Sequence, residues 1–225
     1  MFTLVTFITV VQGQLANHGV RFGDGVIVNH GMTGEQEANV KIYTRHGDSG
    51  KTRVLGSGRR YKDDVRVQAY GTVDEAGALL GVAISMLEGS DEDIRQILLD
   101  VQQMLWDVGA DLARVDNPNY PYQTPDDAAA HLEPLIDRYQ NELPGISKFI
   151  IRGGTPAASL LHLSCTVIRR AERDVVRLQQ FETIHPAALV YLNRLSDLLF
   201  VLARAVNCRA GFNEVNYLHS AQVFR

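Results

Sequence analysis

The sequence predicts an all-α protein folded as a five-helix antiparallel bundle. Apolar residues recur at helical spacing in five long segments, and short loops rich in Gly, Pro, Asn or Asp separate these segments. No strand-like run after residue 60 competes with the helices, and no internal repeat is evident. Because the connections are short, consecutive helices are expected to run in opposite directions.

Composition narrows the classes of function. The 225-residue chain is 45% hydrophobic, which is ordinary for a globular protein and enough for a sizeable core. Its net charge of -4 argues against general binding to nucleic acid, so an anion site requires a local basic cluster. Cys165 and Cys208 lie in separate helical patterns, Cys208 at the end of the last one, and give no disulfide framework or metal-ligand spacing. A reducing compartment is therefore the default.

Residues 1–40 are expected to be a poorly ordered extension, and two peripheral strands, 2–11 and 19–28, are the alternative. The apolar run 2–11 is shorter than the roughly 18 residues of a membrane span and lacks the basic start of a signal peptide. Arg21 is the only arginine among residues 1–40, whereas an organellar transit peptide contains several arginines. We therefore expect a cytoplasmic protein without a membrane partner; the mitochondrial matrix is the alternative if residues 1–40 act as a transit segment.

Residues 41–60 are predicted to form a glycine-rich basic loop. Four glycines disfavour a helix, and hydroxyl and backbone N–H groups beside several basic residues suit a loop that wraps phosphates. These basic residues include Arg45, Lys51, Arg53, Arg59 and Arg60. Two short matches in the loop are rejected. Residues 50–52 (Gly-Lys-Thr) lack the earlier glycine of a P-loop, and residues 47–50 (Gly-Asp-Ser-Gly) lack the partners of a serine-protease triad.

The helices follow in order. The first begins at residues 62–64 (Lys-Asp-Asp), and residues 89–91 (Gly-Ser-Asp) end it and cap a second helix over 91–113. A loop at 117–121 precedes a third helix over 125–142. Residues 148–154 suit a short extended segment and a loop, the fourth helix spans 156–180, and the fifth spans 186–207. The helical domain is thus predicted over 41–208, with residues 209–225 as a frayed tail.

The fourth helix carries the densest charge cluster. Arg169 and Arg173 are four residues apart and share a helix face, and Glu172 lies on the same side. Guanidinium groups bind phosphate oxygens in a forked geometry and a carboxylate can orient one of them, so the cluster suits a polyanion better than a metal. A solvated helix face with internal ion pairs is the alternative on this pentapeptide alone.

Six motifs occur in an order that identifies a family resemblance. They are residues 44–50 (Thr-Arg-His-Gly-Asp-Ser-Gly), 62–66 (Lys-Asp-Asp-x-Arg), 70–75 (Tyr-Gly-Thr-Val-Asp-Glu), 149–154 (Phe-x-x-x-Gly-Gly), 169–173 (Arg-Arg-Ala-Glu-Arg) and 191–197 (Tyr-Leu-Asn-Arg-Leu-Ser-Asp). Each motif alone is weak, but together they resemble the PduO-type ATP:cob(I)alamin adenosyltransferases. The resemblance covers about residues 41–208.

The resemblance implies a ferritin-like bundle with an N-terminal ATP-binding loop, assembled as a homotrimer with active sites at the subunit interfaces. It implies that the cobalt of cob(I)alamin attacks the ribose C5' of ATP, giving adenosylcobalamin and triphosphate. ATP is then the co-substrate, and Mg²⁺ bridges its phosphate oxygens with few protein ligands. A cob(II)alamin reductase and a B12-dependent acceptor enzyme are the implied protein partners.

By position, the resemblance also implies site residues. The implied ATP-binding residues are Thr44, Arg45, His46, Gly47, Thr52, Arg53, Lys62, Arg169, Arg170, Ala171, Glu172, Arg173 and Asn193. Phe149 is implied to face the lower side of the corrin ring, where it excludes the axial base and favours four-coordinate cobalt. Asp74 is implied to be the acid at the corrin end of the interface. Asp74, Phe149, Arg169 and Asn193 are therefore the predicted catalytic residues.

Two positions depart from the family pattern. The family usually has an arginine where this chain has Cys165, and a proline where it has Arg152. The hypothesis is that Arg152 supplies the lost guanidinium and pairs with Asp74 across the interface, which adds Arg152 to the cobalamin site. Without compensation, an unpaired and partly buried Asp74 lowers stability. The alternatives are a non-catalytic corrinoid- or ATP-binding protein on the same scaffold, or a helical assembly protein, which leaves the basic loop unexplained.

Overall fold

The computed structural model describes residues 43–56, 58–115 and 120–222. The predictions for residues 1–40 and for most of the loop at 117–121 lie outside these ranges. The described chain contains the helices α1 (Val65–Ser85), α2 (Glu92–Ala113), α3 (Glu133–Asn141), α4 (Pro156–Gln179) and α5 (Pro186–Arg209). It also contains the short strands β1 (Lys51–Arg53), β2 (Arg59–Tyr61), β3 (Ile150–Ile151) and β4 (Val215–Asn216).

The predicted five-helix bundle is confirmed. Helix α1 packs against α2 and α4, α4 packs against α5, and the shorter α3 lies on α5. The apolar stripes of the sequence meet in one core, where Leu80, Leu98, Leu161 and Leu195 are fully buried. Burial of these stripes is the main stabilising contribution to the helices, because in folded proteins most helix stability comes from packing of the apolar face.

Helix α3 is shorter than the predicted helix over 125–142. Residues 125–132 instead form consecutive tight turns, in which Ala128 N donates to Pro125 O (3.1 Å) and Ala130 N donates to Asp127 O (2.9 Å). Pro134 lies in the first turn of α3. It lacks the N–H needed inside a longer helix but is tolerated at a helix start, which explains why the helix begins at Glu133.

Among the described helices, α5 has the largest share of buried residues. By length and composition alone, α5 is long and apolar enough to cross a membrane. In the structure, however, 61% of its most apolar 18-residue segment is buried inside the fold. That burial accounts for its composition as a core helix. The apolar residues of α5 recur at helical spacing and do not form one unbroken run, so the sequence contains no continuous stretch of 18 apolar residues.

The prediction of a frayed tail after Arg209 is wrong for the residues that the structure describes. Strand β4 pairs antiparallel with β3, and Tyr217 N donates to Phe149 O (2.7 Å). Arg204, which is almost fully buried, holds the same segment through a forked ion pair with Glu214 (2.6 and 2.9 Å). The pairing joins residues far apart in sequence, so helical periodicity gives no signal for it.

The N-terminus of α4 provides a stability test. Thr155 is the N-cap, and its Oγ1 accepts a hydrogen bond from Ala158 N (3.2 Å). We expect Thr155→Ala to lower the free energy of unfolding by about 1 kcal/mol, measured by urea denaturation. Thr166→Ala is the matched control, since Thr166 lies inside the same helix and its hydroxyl only donates to Leu163 O. An equal loss in both variants would contradict the capping role.

Asp107 provides a pH-dependent test. Burial, with a smaller contribution from the charge of Asp111, raises the pKa of Asp107 to about 6. Because this pKa lies above the value of about 3.9 for an unfolded aspartate, stability falls as pH rises from about 4 to 6. We expect Asp107→Asn to raise the free energy of unfolding at pH 7 by about 1–2 kcal/mol and to have little effect at pH 4. The same gain at both pH values would contradict this cause, and the exposed Asp137→Asn is the control.

Candidate active site

An open cavity of about 400 Å³ lies between α4 and α5. Helix α4 contributes Arg169, Glu172, Arg173 and Val176, and α5 contributes Asn193, Ser196 and Asp197. Steps of three and four residues along α4 return to the same face, so the arginine cluster faces the cavity as a group. The structure therefore brings together Arg169, Glu172, Arg173 and Asn193, which the sequence singled out in two separate motifs.

Polar contacts hold some side chains of this cavity and leave others available. Asn193 Nδ2 donates to Glu172 Oε1 (2.9 Å), which fixes the carboxylate between the helices. Arg169 Nε donates to Ser196 Oγ (3.4 Å), and its two terminal nitrogens make no hydrogen bond within the described chain. Arg173 makes no hydrogen bond or ion pair with any described residue and is exposed. Two guanidinium groups with available donors are suited to phosphate oxygens.

Two neighbours of the cluster lie outside the cavity. Arg170 points to α1, where it forms an ion pair with Glu75. Ala171 is fully buried in the core. Each residue along a helix rotates by about 100°, so adjacent positions in the pentapeptide face different surroundings. Neither Arg170 nor Ala171 lines the cavity, and Ala171 is a core residue, so their roles as ATP contacts stay predictions without support from the cavity.

The predicted basic loop contains a β-hairpin, in which Thr52 pairs with Arg60. Lys62 N donates to Gly50 O (2.9 Å), and a Cβ atom at Gly47 would lie 3.3 Å from Lys62 Nζ. Glycine at position 47 therefore leaves room for the lysine. Arg59 donates to His46 O, so cationic side chains approach the turn of residues 46–50.

No residue of the hairpin lines the α4–α5 cavity of its own chain. Most of its predicted ATP contacts are exposed; these are Thr44, Arg45, His46, Arg53 and Lys62. Thr52 is buried, with 5% exposure, so its side chain faces the hairpin's packing side. None of these residues lines the arginine cavity. Their role as ATP ligands stays a prediction, and within one chain the two predicted halves of the ATP site are separate.

Phe149 is 57% exposed, so it lies on the surface of the described chain and not in the core. The antiparallel register places Phe149 opposite Tyr217 and Ile151 opposite Val215. Residues two apart in a strand share a face, so these four side chains form one surface, which we call the ribbon face. All four are exposed. Sequence reasoning found only Phe149, because the register depends on a contact between distant segments.

Asp74 lines a second cavity of about 270 Å³ between α1 and α2, beside Gln102 and Trp106. Partial burial raises the pKa of Asp74, and no hydrogen bond or ion pair joins it to another residue in the described part of the chain. Arg152 is exposed and does not contact Asp74 within one chain. The hypothesis of an Asp74–Arg152 pair across an interface therefore stays a prediction.

Cys165 is fully buried between α4 and α5, and its Sγ donates to Ser196 O (3.2 Å). Burial raises the pKa of the Cys165 thiol, although the charges of Arg169 and Arg152 oppose the shift. Burial and the charge of Arg152 also lower the pKa of His162 to about 4. The charge of Arg152 thus lowers the pKa of His162 and opposes the rise in the pKa of Cys165.

Potential metal ligands are not clustered. Within the ranges that the structure describes, no group of three or more His, Cys, Asp or Glu side chains could hold a metal ion. The described chain thus combines a helical bundle with three surface features: an arginine-lined cavity, a basic hairpin and an exposed apolar ribbon face.

Comparison with known proteins gives the family. The sequence model of the cobalamin adenosyltransferase family matches residues 42–206. The chain is 46% identical over 188 residues to the corrinoid adenosyltransferase of Bacillus subtilis (strain 168), covering 83% of this chain and 96% of that protein. It is 40% identical over 176 residues to a cobalamin adenosyltransferase of Cupriavidus metallidurans, covering 78% and 92%.

A solved structure of a protein of this family has a similar fold. A variant PduO-type ATP:corrinoid adenosyltransferase from Lactobacillus reuteri, complexed with cobalamin and ATP, matches with a TM-score of 0.80 and 39% identity, covering 82% of this chain and 100% of that one. This chain belongs to the cobalamin adenosyltransferase family. The predicted family is confirmed; the roles of individual site residues stay predictions.

Proposed function

We propose that the protein transfers the 5'-deoxyadenosyl group of ATP to cob(I)alamin, giving adenosylcobalamin and triphosphate. Family membership supports the reaction, and the observation that carries it in this chain is the cavity where Arg169 and Arg173 keep free guanidinium donors. The leaving triphosphate gains negative charge as the C5'–O bond breaks. Cationic donors at that position stabilise the developing charge and so lower the barrier.

Different residues of this chain have different proposed roles in the reaction. Arg169 and Arg173 bind the polyphosphate, and the Asn193–Glu172 hydrogen bond keeps the cavity's carboxylate fixed beside them. The cobalt supplies the electron pair for the new Co–C5' bond, and the C5'–O electron pair leaves with triphosphate. Because no described residues form a ready-made metal cluster, Mg²⁺ would be held mainly by phosphate oxygens of ATP, where it offsets their charge.

The ribbon face is the proposed apolar wall for the corrin. Phe149 lies at its edge with Ile151, Val215 and Tyr217 beside it. An exposed apolar surface of this kind is costly to leave in water and suits a large ring ligand. Phe149 would occupy the lower side of the corrin and keep an axial base away from cobalt, as the family resemblance implies.

We infer that the active form is a homotrimer in which the hairpin of one subunit completes the arginine cavity of its neighbour. The separation of the two halves within one chain supports this inference. Mixing Arg169→Ala subunits with Lys62→Ala subunits then restores activity, because some interfaces combine the intact arginine of one subunit with the intact lysine of the other. A fully active monomer, or mixtures no more active than either variant, would contradict the shared site.

The function is tested by an anaerobic assay with chemically reduced cobalamin and Mg-ATP. We expect the cob(I)alamin absorbance to decay and the adenosylcobalamin spectrum to form only when enzyme and ATP are both present. Binding of ATP without a spectral change would instead favour the non-catalytic alternative.

We also propose that the protein is cytoplasmic. A cob(II)alamin reductase would supply its reduced substrate, and a B12-dependent enzyme would accept its product.

A further inference from the structure

Glu182 lies in the link between α4 and α5, and two arginines from the N-terminal part of the chain share its carboxylate. Arg60 of β2 donates to both oxygens, Nη1 to Oε1 (2.6 Å) and Nη2 to Oε2 (2.9 Å). Arg66, in the first turn of α1, donates from Nε (3.2 Å) and Nη2 (3.1 Å) to Oε2. One carboxylate thus joins the hairpin, α1 and the end of α4.

Arg66 makes Glu182 a rigid anchor. Its side chain is 1% exposed, and its remaining donors bind the carbonyl oxygens of Leu112, Arg114 and Thr183. A guanidinium with this many fixed acceptors has one geometry available. Because Arg66 is held by these hydrogen bonds, it also holds Oε2 of Glu182 in place. Arg60 donates to the same carboxylate, so the position of its guanidinium is fixed as well.

The hairpin has a second attachment at its opposite end. Leu55 N donates to Ala113 O (3.0 Å), and Val115 N donates to Leu55 O (2.7 Å). This attachment fixes residues after β1 to the end of α2. β2 is paired with β1 through the backbone, and the Arg60–Glu182 pair is the side-chain contact that joins β2, the strand that leads directly to Lys62, to the end of α4.

The electrostatics agree with this contact. Partial burial opposes ionisation of Glu182, but the hydrogen bond from Arg60 and the charge of Arg66 hold its pKa below the ordinary value. Asp64, the N-cap of α1, forms a second ion pair with Arg60 (3.2 Å). Arg60 is thus held by two carboxylates and is not an available phosphate donor, unlike Arg173.

We propose that Glu182 is a positioning residue for ATP: by holding Arg60, it fixes β2 and the adjoining Lys62 in the geometry that receives the polyphosphate. The proposal rests on the proposed function, since it assigns a purpose to the hairpin in ATP binding. It adds a residue outside all six family motifs, located more than 100 positions from the hairpin in sequence.

The test compares ATP and cobalamin affinities in Glu182→Gln and Arg60→Lys. Glutamine keeps the shape of Glu182 without its charge, and lysine keeps the charge of Arg60 without the fork. We expect Glu182→Gln to raise the Kd for Mg-ATP, measured by titration calorimetry, by about tenfold, as for loss of a charge-assisted pair. The Kd for cobalamin should change by less than about twofold, and Arg60→Lys should give a smaller effect of the same kind.

Asp93→Asn is the matched control. Asp93 forms a forked ion pair with Arg209 (2.7 and 2.9 Å) at the other end of α2, with exposure similar to that of the Arg60–Glu182 pair. It should lower stability without changing ATP affinity. Unchanged ATP affinity in Glu182→Gln, or equal weakening of ATP and cobalamin binding, would overturn the proposal. Calorimetry reports binding without turnover, so an inactive wild-type protein would contradict only the proposed function.

Discussion

Arg169→Ala is expected to lower kcat for adenosyl transfer by about 100-fold or more, the usual effect of removing one donor from a developing anion. Arg169 lines the cavity, and Ser196 holds its Nε while the two terminal nitrogens keep free donors. The loss should appear mainly in kcat, because the negative charge on the leaving triphosphate increases as the C5'–O bond breaks. Steady-state kinetics with saturating Mg-ATP and cob(I)alamin measures it.

Arg170→Ala is the matched control, since it removes the adjacent guanidinium of the same helix. Both arginines belong to the motif at residues 169–173, but the structure places Arg170 in an exposed pair with Glu75. We therefore expect a loss of at most about fivefold for Arg170→Ala, in line with an exposed ion pair. Equal losses in the two variants would show that the cavity does not define the phosphate site.

Phe149→Ala is expected to separate two stages of the reaction. Starting from cob(II)alamin and a reductant, the rate should fall by about 100-fold, since removing the aromatic ring lets an axial base or water reach cobalt and makes it harder to reduce. Starting from preformed cob(I)alamin, the rate should fall by less than about tenfold, because the nucleophile is already present. Parallel anaerobic assays from the two oxidation states measure the difference.

Leu218→Ala is the control for exposed apolar area. Leu218 is 89% exposed and lies one residue past Tyr217, off the ribbon face. It should leave both rates unchanged. If Phe149→Ala lowers the two rates by the same factor, the ring serves general corrin binding and has no separate part in controlling the coordination of cobalt.

Local patterns predicted the helices but not their tertiary connections. Periodicity located α4 and α5 to within about two residues, since their stripes are long and Pro156 and Pro186 mark their starts. It overextended α3, where Pro134 restricts the start, and it missed the pairing of β3 with β4. A two-residue strand has no period to detect, and its register is set by contacts between distant segments.

The candidate site shows the same difference between what local sequence patterns predict and what tertiary contacts determine. Spacing alone placed Arg169, Glu172 and Arg173 on one helix face, and the structure confirms that they share a cavity. The contribution of α5 through Asn193 came from the family resemblance, because no local rule relates residues on two helices. Neither source indicated that Arg170 turns to α1 or that Glu182 holds the hairpin, since both depend on how the helices pack.

The most direct test of the adenosyl-transfer mechanism is the product stoichiometry of the anaerobic reaction. Cob(I)alamin and Mg-ATP are incubated with the enzyme, and adenosylcobalamin and all phosphate products are quantified together. The mechanism predicts one triphosphate for each adenosylcobalamin, because the C5'–O bond breaks and the phosphoanhydride bonds remain intact. ADP and phosphate as the products, or bound ATP with no loss of cob(I)alamin, would contradict adenosyl transfer at the arginine cavity.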